Sequence, residues 1–251
     1  MTKILRSLEE LRKTRAELKG SVGFVPTMGA LHKGHAELLK RAREENEWVF
    51  LSVFVNPTQF DNKEDLEKYP ITLEGDIKIS EQNRVNFIWL PTYPQLYPDH
   101  YAYKVTENEL SQKFCGAHRP GHFDGVLSVV MKLLNLVKPH RAYFGEKDFQ
   151  QLTLIQGMVK SFFLDVQIVP VPTVREDSGL ALSSRNVRLS PEEREKAPEL
   201  YRALTGSASA AEASARLQEL GFKVDYVEDL GGRRLAAVYL GSTRLIDNVE
   251  I

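Results

Sequence analysis

Over the first ~170 residues, short β-branched and aromatic runs alternate with stretches of helical periodicity, a rhythm that few folds accommodate. Residues 7–19 predict a helix with Leu8, Leu11 and Leu18 along one side, stopped by Gly20. Residues 22–25 form a buried-strand run, and a turn rich in Pro, Met and Gly leads into a helix over 34–46 that buries Ala36, Leu38, Leu39 and Ala42. Further strands are expected over 48–55, 85–90, 141–144 and 166–169, with helices over 72–82, 125–137 and 149–162. The expectation is an α/β fold with a mainly parallel sheet covered on both faces. Ligands of such sheets bind beyond the carboxyl ends of the strands, so the turns after Val25, Val55 and Phe144 should line one crevice.

Pro170 and Pro172 punctuate the chain, and composition changes beyond Ser183-Ser184-Arg185-Asn186. Pro191 opens a helix, and residues 208–220 predict another, whose Ala/Ser-rich start reads as solvated. Strands over 222–227 and 236–240 flank Gly231-Gly232, which suits a hairpin. We therefore expect a first domain over 1–172 and a smaller α+β domain over 173–251.

Net charge is −1, and no basic stripe invites a nucleic acid. Charges run through the first twenty residues, and the most apolar runs are too short to span a bilayer, so no membrane role is expected. The single cysteine, Cys115, cannot form an internal disulfide, which fits a cytoplasmic protein.

Four polar segments carry the chemistry. Pro26-Thr27-Met28-Gly29-Ala30-Leu31-His32-Lys33-Gly34-His35 runs from a strand into a helix, where free N–H groups and the helix dipole favour an anion. His32 and His35 suit loop-and-cap histidines, or donors to a phosphate on which charge develops. Phe54-Val55-Asn56-Pro57-Thr58-Gln59-Phe60 ends a strand; it suits an Asn-Pro turn, or two neutral amides for hydroxyl and carboxylate oxygens beside an apolar wall. In Phe144-Gly145-Glu146-Lys147-Asp148-Phe149-Gln150-Gln151, Asp148 suits a helix cap, whereas Lys147 at a helix start calls for a bound anion. Val174-Arg175-Glu176-Asp177-Ser178-Gly179-Leu180-Ala181-Leu182-Ser183-Ser184-Arg185-Asn186 suits a polar loop, or hydroxyls and a guanidinium around phosphate oxygens. No G-x-G-x-x-G follows the first strand and no G-x-x-x-x-G-K-[ST] occurs, which disfavours a dehydrogenase and a Walker-type ATPase.

The first segment resembles the HxGH signature of the nucleotidylyl-transferase superfamily, whose members transfer a nucleotidyl group and release pyrophosphate. All four segments, with Arg119-Pro120-Gly121-His122-Phe123-Asp124-Gly125-Val126 and Tyr239-Leu240-Gly241-Ser242-Thr243-Arg244-Leu245-Ile246-Asp247-Asn248, resemble the pantothenate synthetase family over nearly the whole chain. The resemblance implies a Rossmann-like domain with a small C-terminal lid domain, a homodimer, and ATP-dependent ligation of pantoate and β-alanine with Mg²⁺. A pantoyl-adenylate would form, with release of AMP and pyrophosphate.

It implies that Met28, Gly29, Ala30, Leu31, His32, Lys33, Gly34 and His35 hold ATP, with His35 as general acid and His32 beside it. Gly145, Glu146, Lys147, Asp148, Val174, Leu182, Ser183, Ser184 and Arg185 would complete the ATP site, Lys147 and Arg185 acting in catalysis. Gln59 and Gln151 would bind pantoate, Asn56 would join them, and Tyr69 and His122 would border the acceptor pocket. Asp76 is the candidate for the magnesium region, where the pattern departs from the family: Ile71 replaces a common arginine and Gly75 an acid. Beside the family pattern, the part beyond about Ser190 is expected to be shorter. Two other readings stand beside this one: a transferase that keeps the nucleotide on its product, and a nucleotide-sensing module without turnover.

Overall fold

In the computed structural model, which describes residues 2–251, the chain divides into two units, Met1–Gly145 with Gln151–Val171 and Glu146–Gln150 with Pro172–Ile251. Among the described residues of the first, strands β1 (Lys3–Leu5), β2 (Val22–Thr27), β3 (Trp48–Val53), β4 (Phe87–Trp89), β5 (Arg141–Gly145) and β6 (Gln167–Val171) form one sheet. Their order is β1-β4-β3-β2-β5-β6, and every pair is parallel. Val22, Phe24, Val25, Val49, Phe50 and Leu51 are fully buried, which explains why β2 and β3 read as unbroken apolar runs and not as alternating ones. The helix Lys33–Glu45 packs Leu38, Leu39 and Ala42 against Val25, Leu51 and Ile88. Ser7 begins the helix Leu8–Glu17 with a capping box closed by Glu10.

The chain leaves β2 toward β3 and β4 on one side, and later returns to β2's other side with β5 and β6. The order reverses between β2 and β5. Their pairing extends only over Gly23↔Arg141 and Phe24↔Ala142, so the carboxyl ends of the two strands part. In an open parallel sheet, this topological switch is where a binding crevice forms.

In the second unit, β7 (Lys223–Leu230), β8 (Arg233–Leu240) and β9 (Thr243–Glu250) form an antiparallel meander. Gly231 and Gly232 both have positive φ, 57° and 76°, as a two-residue hairpin turn with the twist of its strands requires. The helices Glu199–Gly206 and Ala210–Glu219 bury Leu200, Leu204 and Leu217 with Phe222, Val238 and Leu245.

The expected fold class holds: a Rossmann-like parallel sheet and a smaller α+β part. Several details differ. Two strands are additional, β1 and β9. The helix expected over 125–137 begins at His122, three residues early. Pro170 lies inside β6 and does not end it; β6 is an edge strand, where the missing N–H breaks no internal ladder. Ala36 is only partly buried, and Thr14 takes an inward position on the first helix.

Candidate active site

β2 ends at Thr27, and the following turn folds sharply: Gly29 has φ 84° and Ala30 φ 50°. His32 is the N-cap of the next helix. Its Nδ1 accepts the Gly34 N–H at 3.1 Å, while Nδ1 of His35 accepts the His32 N–H at 3.3 Å. The arrangement is a capping box built from imidazoles. A neutral ring whose Nδ1 accepts carries its proton on Nε2, so both histidines present an Nε2–H donor. Their ring centroids lie 4.1 Å apart. The bland and the chemical readings of these residues are therefore compatible: capping uses one edge of each ring and fixes the tautomer of the other.

Asp76 closes the turn from the opposite side. It is 2% exposed, in the first turn of the helix Leu73–Gln82. Its Oδ2 accepts the Ala30 N–H at 3.1 Å; its Oδ1 accepts the Leu31 N–H at 2.8 Å and the Thr72 hydroxyl at 3.1 Å. A carboxylate offers about four acceptor positions, and three are taken. Among the described residues no group of three or more His, Cys, Asp and Glu side chains is placed to hold a metal ion. A magnesium ion needs six oxygen ligands in near-octahedral array. The residues here do not form a protein cage for it, and Asp76 is committed to the turn.

The turn after β3 lies next to the turn after β2, because Thr27 and Val53 are register partners and the Phe54 N–H bonds the Thr27 carbonyl at 3.1 Å. Here Asn56 is 1% exposed with its amide fully used. Its Nδ2 donates to Gln59 Oε1 at 3.0 Å and to the Gly125 carbonyl at 3.2 Å. Its Oδ1 accepts from Tyr97 and Thr58 hydroxyls at 2.9 and 3.0 Å. Asn56 thereby orients Gln59, whose Nε2 group remains a donor. Gly125 has to be glycine, because a Cβ there would overlap the Thr58 carbonyl. Burial pushes the Tyr97 hydroxyl up to about 12, against the lowering effect of its Thr58 hydrogen bond.

His122 and Arg119 hold the same turn from below. The His122 Nδ1 is 2.7 Å from the Gln59 carbonyl oxygen, and Arg119 bonds both that oxygen and Asp61. Tyr69 is buried edge-on against Phe60, with centroids 5.8 Å apart. Gly145 ends β5, and Gln151 lies in the helix Phe149–Ser161.

The other expected nucleotide residues belong to the second unit. Glu146, Lys147 and Asp148 form a single 3₁₀ turn. Asn248 of β9 donates to the carbonyls of Glu146 and Lys147 at 2.9 and 3.0 Å, and Arg233 bonds the Glu146 carboxylate at 2.8 Å. Val174 and Leu182 meet through a backbone hydrogen bond of 3.0 Å. Ser183 caps the 3₁₀ helix Ser184–Arg188 by accepting the Arg185 N–H. Arg175 anchors this loop with a two-point bond to Asp247 at 2.6 and 2.9 Å, and its guanidinium lies 4.0 Å from the Tyr201 ring centroid. Asn248, Arg175 and Asp247 stood inside motif strings but received no role from sequence. Only the folded register shows that they brace the loops carrying Lys147 and Arg185.

Comparison with known proteins identifies the family. The family model described as Pantoate-beta-alanine ligase matches residues 3–250. A pantothenate synthetase of Bdellovibrio bacteriovorus is 64% identical over 251 residues, covering 100% of both chains. The crystal structure of a pantoate-beta-alanine ligase from Francisella tularensis, complexed with beta-gamma ATP and beta-alanine, superposes with TM-score 0.95 at 40% identity, covering 100% of this chain and 98% of that one. A pantothenate synthetase structure from Thermus thermophilus gives TM-score 0.91 at 43% identity over 99% of each chain. No helix among the described residues is long and apolar enough to cross a membrane.

Proposed function

Because this chain belongs to the pantoate-beta-alanine ligase family, we propose that it joins pantoate to β-alanine through a pantoyl-adenylate, consuming ATP and releasing AMP and pyrophosphate. The observation that carries the proposal is the turn after β2: two imidazoles with fixed tautomers, in contact, at the helix start beside the switch point of the sheet.

A carboxylate resists attack by an amine, because its charge repels the nucleophile and oxide is a poor leaving group. Pantoate must first attack the α-phosphorus of ATP, forming a carboxyl–phosphate bond as the bond to pyrophosphate breaks. Gln59 suits the acid, since a neutral amide donor orients a carboxylate without repelling it; Gln151 is its proposed companion. Aligning acid and phosphorus in line supplies on the order of 7–11 kcal/mol of the barrier in well-oriented systems. The Nε2–H groups of His32 and His35 stabilise charge on the phosphate oxygens, with His35 as the acid, and Lys147 and Arg185 add positive charge for the departing pyrophosphate. Met28–Leu31, Lys33, Gly34, Gly145, Glu146, Asp148, Val174, Leu182, Ser183 and Ser184 form the rest of the proposed nucleotide site. Tyr69 and His122 border the acceptor. β-Alanine then attacks the acyl carbon, its amine loses a proton, and AMP leaves. Magnesium enters this proposal with the triphosphate. Cytoplasmic location, a homodimer and a boundary near residue 172 complete it.

Enzyme mixed with Mg-ATP and pantoate, with and without β-alanine, tests the proposal by chromatography of AMP. Expected are one adenylate per active site without the amine and continuous AMP release with it. A product that retains the nucleotide, or no ATP consumption, would replace this proposal with a nucleotidyl transferase or a sensing module.

A further inference from the structure

We propose that Asp76 is a positioning residue for adenylation, acting through the backbone of the nucleotide turn and not as a metal ligand. The inference rests on the adenylation reading of that turn. Two consecutive left-handed residues, Gly29 and Ala30, aim the N–H groups of Ala30 and Leu31 at one point, and the Asp76 carboxylate occupies it. Successive amides in such a turn form an anion-binding concavity. Here the anion is a buried side chain from a helix 46 positions later in sequence. An alanine at positive φ is strained, and it persists only where its surroundings hold it. The carboxylate supplies that hold.

The fit is close on its other side. A Cβ on Gly29 would sit 2.8 Å from Asp76 Oδ2 and 2.9 Å from Val53 Cγ1, so carboxylate, turn and β3 are packed together. The negative charge also lies in the first turn of its own helix, where the dipole favours it. The next residue after the held pair is His32, whose ring caps the following helix and whose backbone N–H donates to His35 Nδ1. Moving Ala30 and Leu31 therefore moves both imidazoles relative to the sheet. Of the acids nearby, Glu74 is exposed and position 75 is glycine, so no second carboxylate of this helix turn joins Asp76 around an ion.

Asp76→Asn tests the assignment. It preserves shape but turns one acceptor into a donor facing an N–H. Rates of adenylate formation are measured against ATP and against free Mg²⁺, alongside thermal stability. Expected is a loss of about tenfold or more in kcat/KM for ATP, with the Mg²⁺ concentration for half-maximal rate within about twofold of wild type. A merely structural role lowers Tm and leaves kcat and KM unmoved below the transition, which overturns the proposal. A tenfold rise in the Mg²⁺ requirement, relieved by Mn²⁺, overturns it in favour of a metal ligand. If Asp76→Asn does not fold, Thr72→Val removes only the third donor from the carboxylate. A severalfold rise in KM for ATP at unchanged Mg²⁺ requirement supports the assignment, and wild-type kinetics contradict it. Wild-type enzyme that makes no AMP from these substrates overturns the activity itself; active wild type with an unaffected Asp76→Asn overturns the role of Asp76 alone.

Discussion

His122 donates its Nδ1–H to the backbone carbonyl of Gln59 at 2.7 Å, and the direction of that bond follows from its neighbour. Arg119 approaches His122 Nε2 at 3.2 Å, and a guanidinium only donates. Nε2 must accept, so the neutral ring carries its proton on Nδ1. The tautomer is opposite to that of His32 and His35. His122→Asn keeps an N–H near the Nδ1 position, and His122→Ala keeps nothing. We expect the alanine variant to raise KM for pantoate about tenfold or more, and the asparagine variant to recover most of that loss. Nitrogen NMR of His122 should show the Nδ1–H form.

His32 combines a cap with a chemical group, and the two separate by substitution. His32→Asn retains a good capping acceptor for Gly34, whereas His32→Ala does not. Loss of the cap should lower stability by about 0.5–2 kcal/mol in the alanine variant only. Both variants should lose adenylation rate, by roughly two orders of magnitude when one preorganised donor is removed. Calorimetry and single-turnover rates report the two effects independently. An asparagine variant with full activity would remove His32 from the chemistry.

Gln59→Ala should weaken pantoate use by more than ATP use, because its amide faces the acid and not the nucleotide in the proposed reaction. Asn56→Ala should reproduce part of that loss without touching substrate, since the Asn56 Nδ2 holds Gln59 Oε1. It should also destabilise the fold by about 1–3 kcal/mol, because buried partners on Tyr97 and Gly125 lose their bonds. Separate titrations of pantoate and ATP check the first point and chemical denaturation the second.

Tyr97 predicts the alkaline limit. Burial raises its folded value to about 12, above an unfolded value near 10. The unfolded chain loses this proton first. The stability contribution is therefore intact below pH about 10 and disappears as pH rises toward about 12. Tyr143 is shifted in the same direction, by burial and then by its bond to Glu45. Denaturation midpoints should fall across this window, and Tyr97→Phe should flatten the slope. An unchanged slope would show that Tyr97 does not titrate with unfolding.

Much of this was legible in the chain itself, for particular reasons. β2, β3 and the helix Lys33–Glu45 declare themselves because burial on both sheet faces leaves continuous apolar runs, and a half-buried helix leaves a periodic one. β1 has three residues, too few for any pattern. β9 is hidden because Arg244, Asp247 and Asn248 interrupt its apolar residues, and their partners Asp225, Arg175 and Glu146 are far away in sequence. The same separation concealed the work of Asn56 and Asp76. Residue type marked both as polar and well placed; only the folded contacts show that Asp76 bonds the turn after β2 and that Asn56 ties its own turn to Tyr97 and Gly125.

The most direct measurement uses pantoate labelled with oxygen-18 in its carboxylate, turned over with ATP and β-alanine. If pantoate attacks the α-phosphorus, one labelled oxygen must pass to AMP as the acyl–oxygen bond breaks, and mass spectrometry should find it there. AMP without label, or ADP and phosphate in its place, would contradict the acyl-adenylate route.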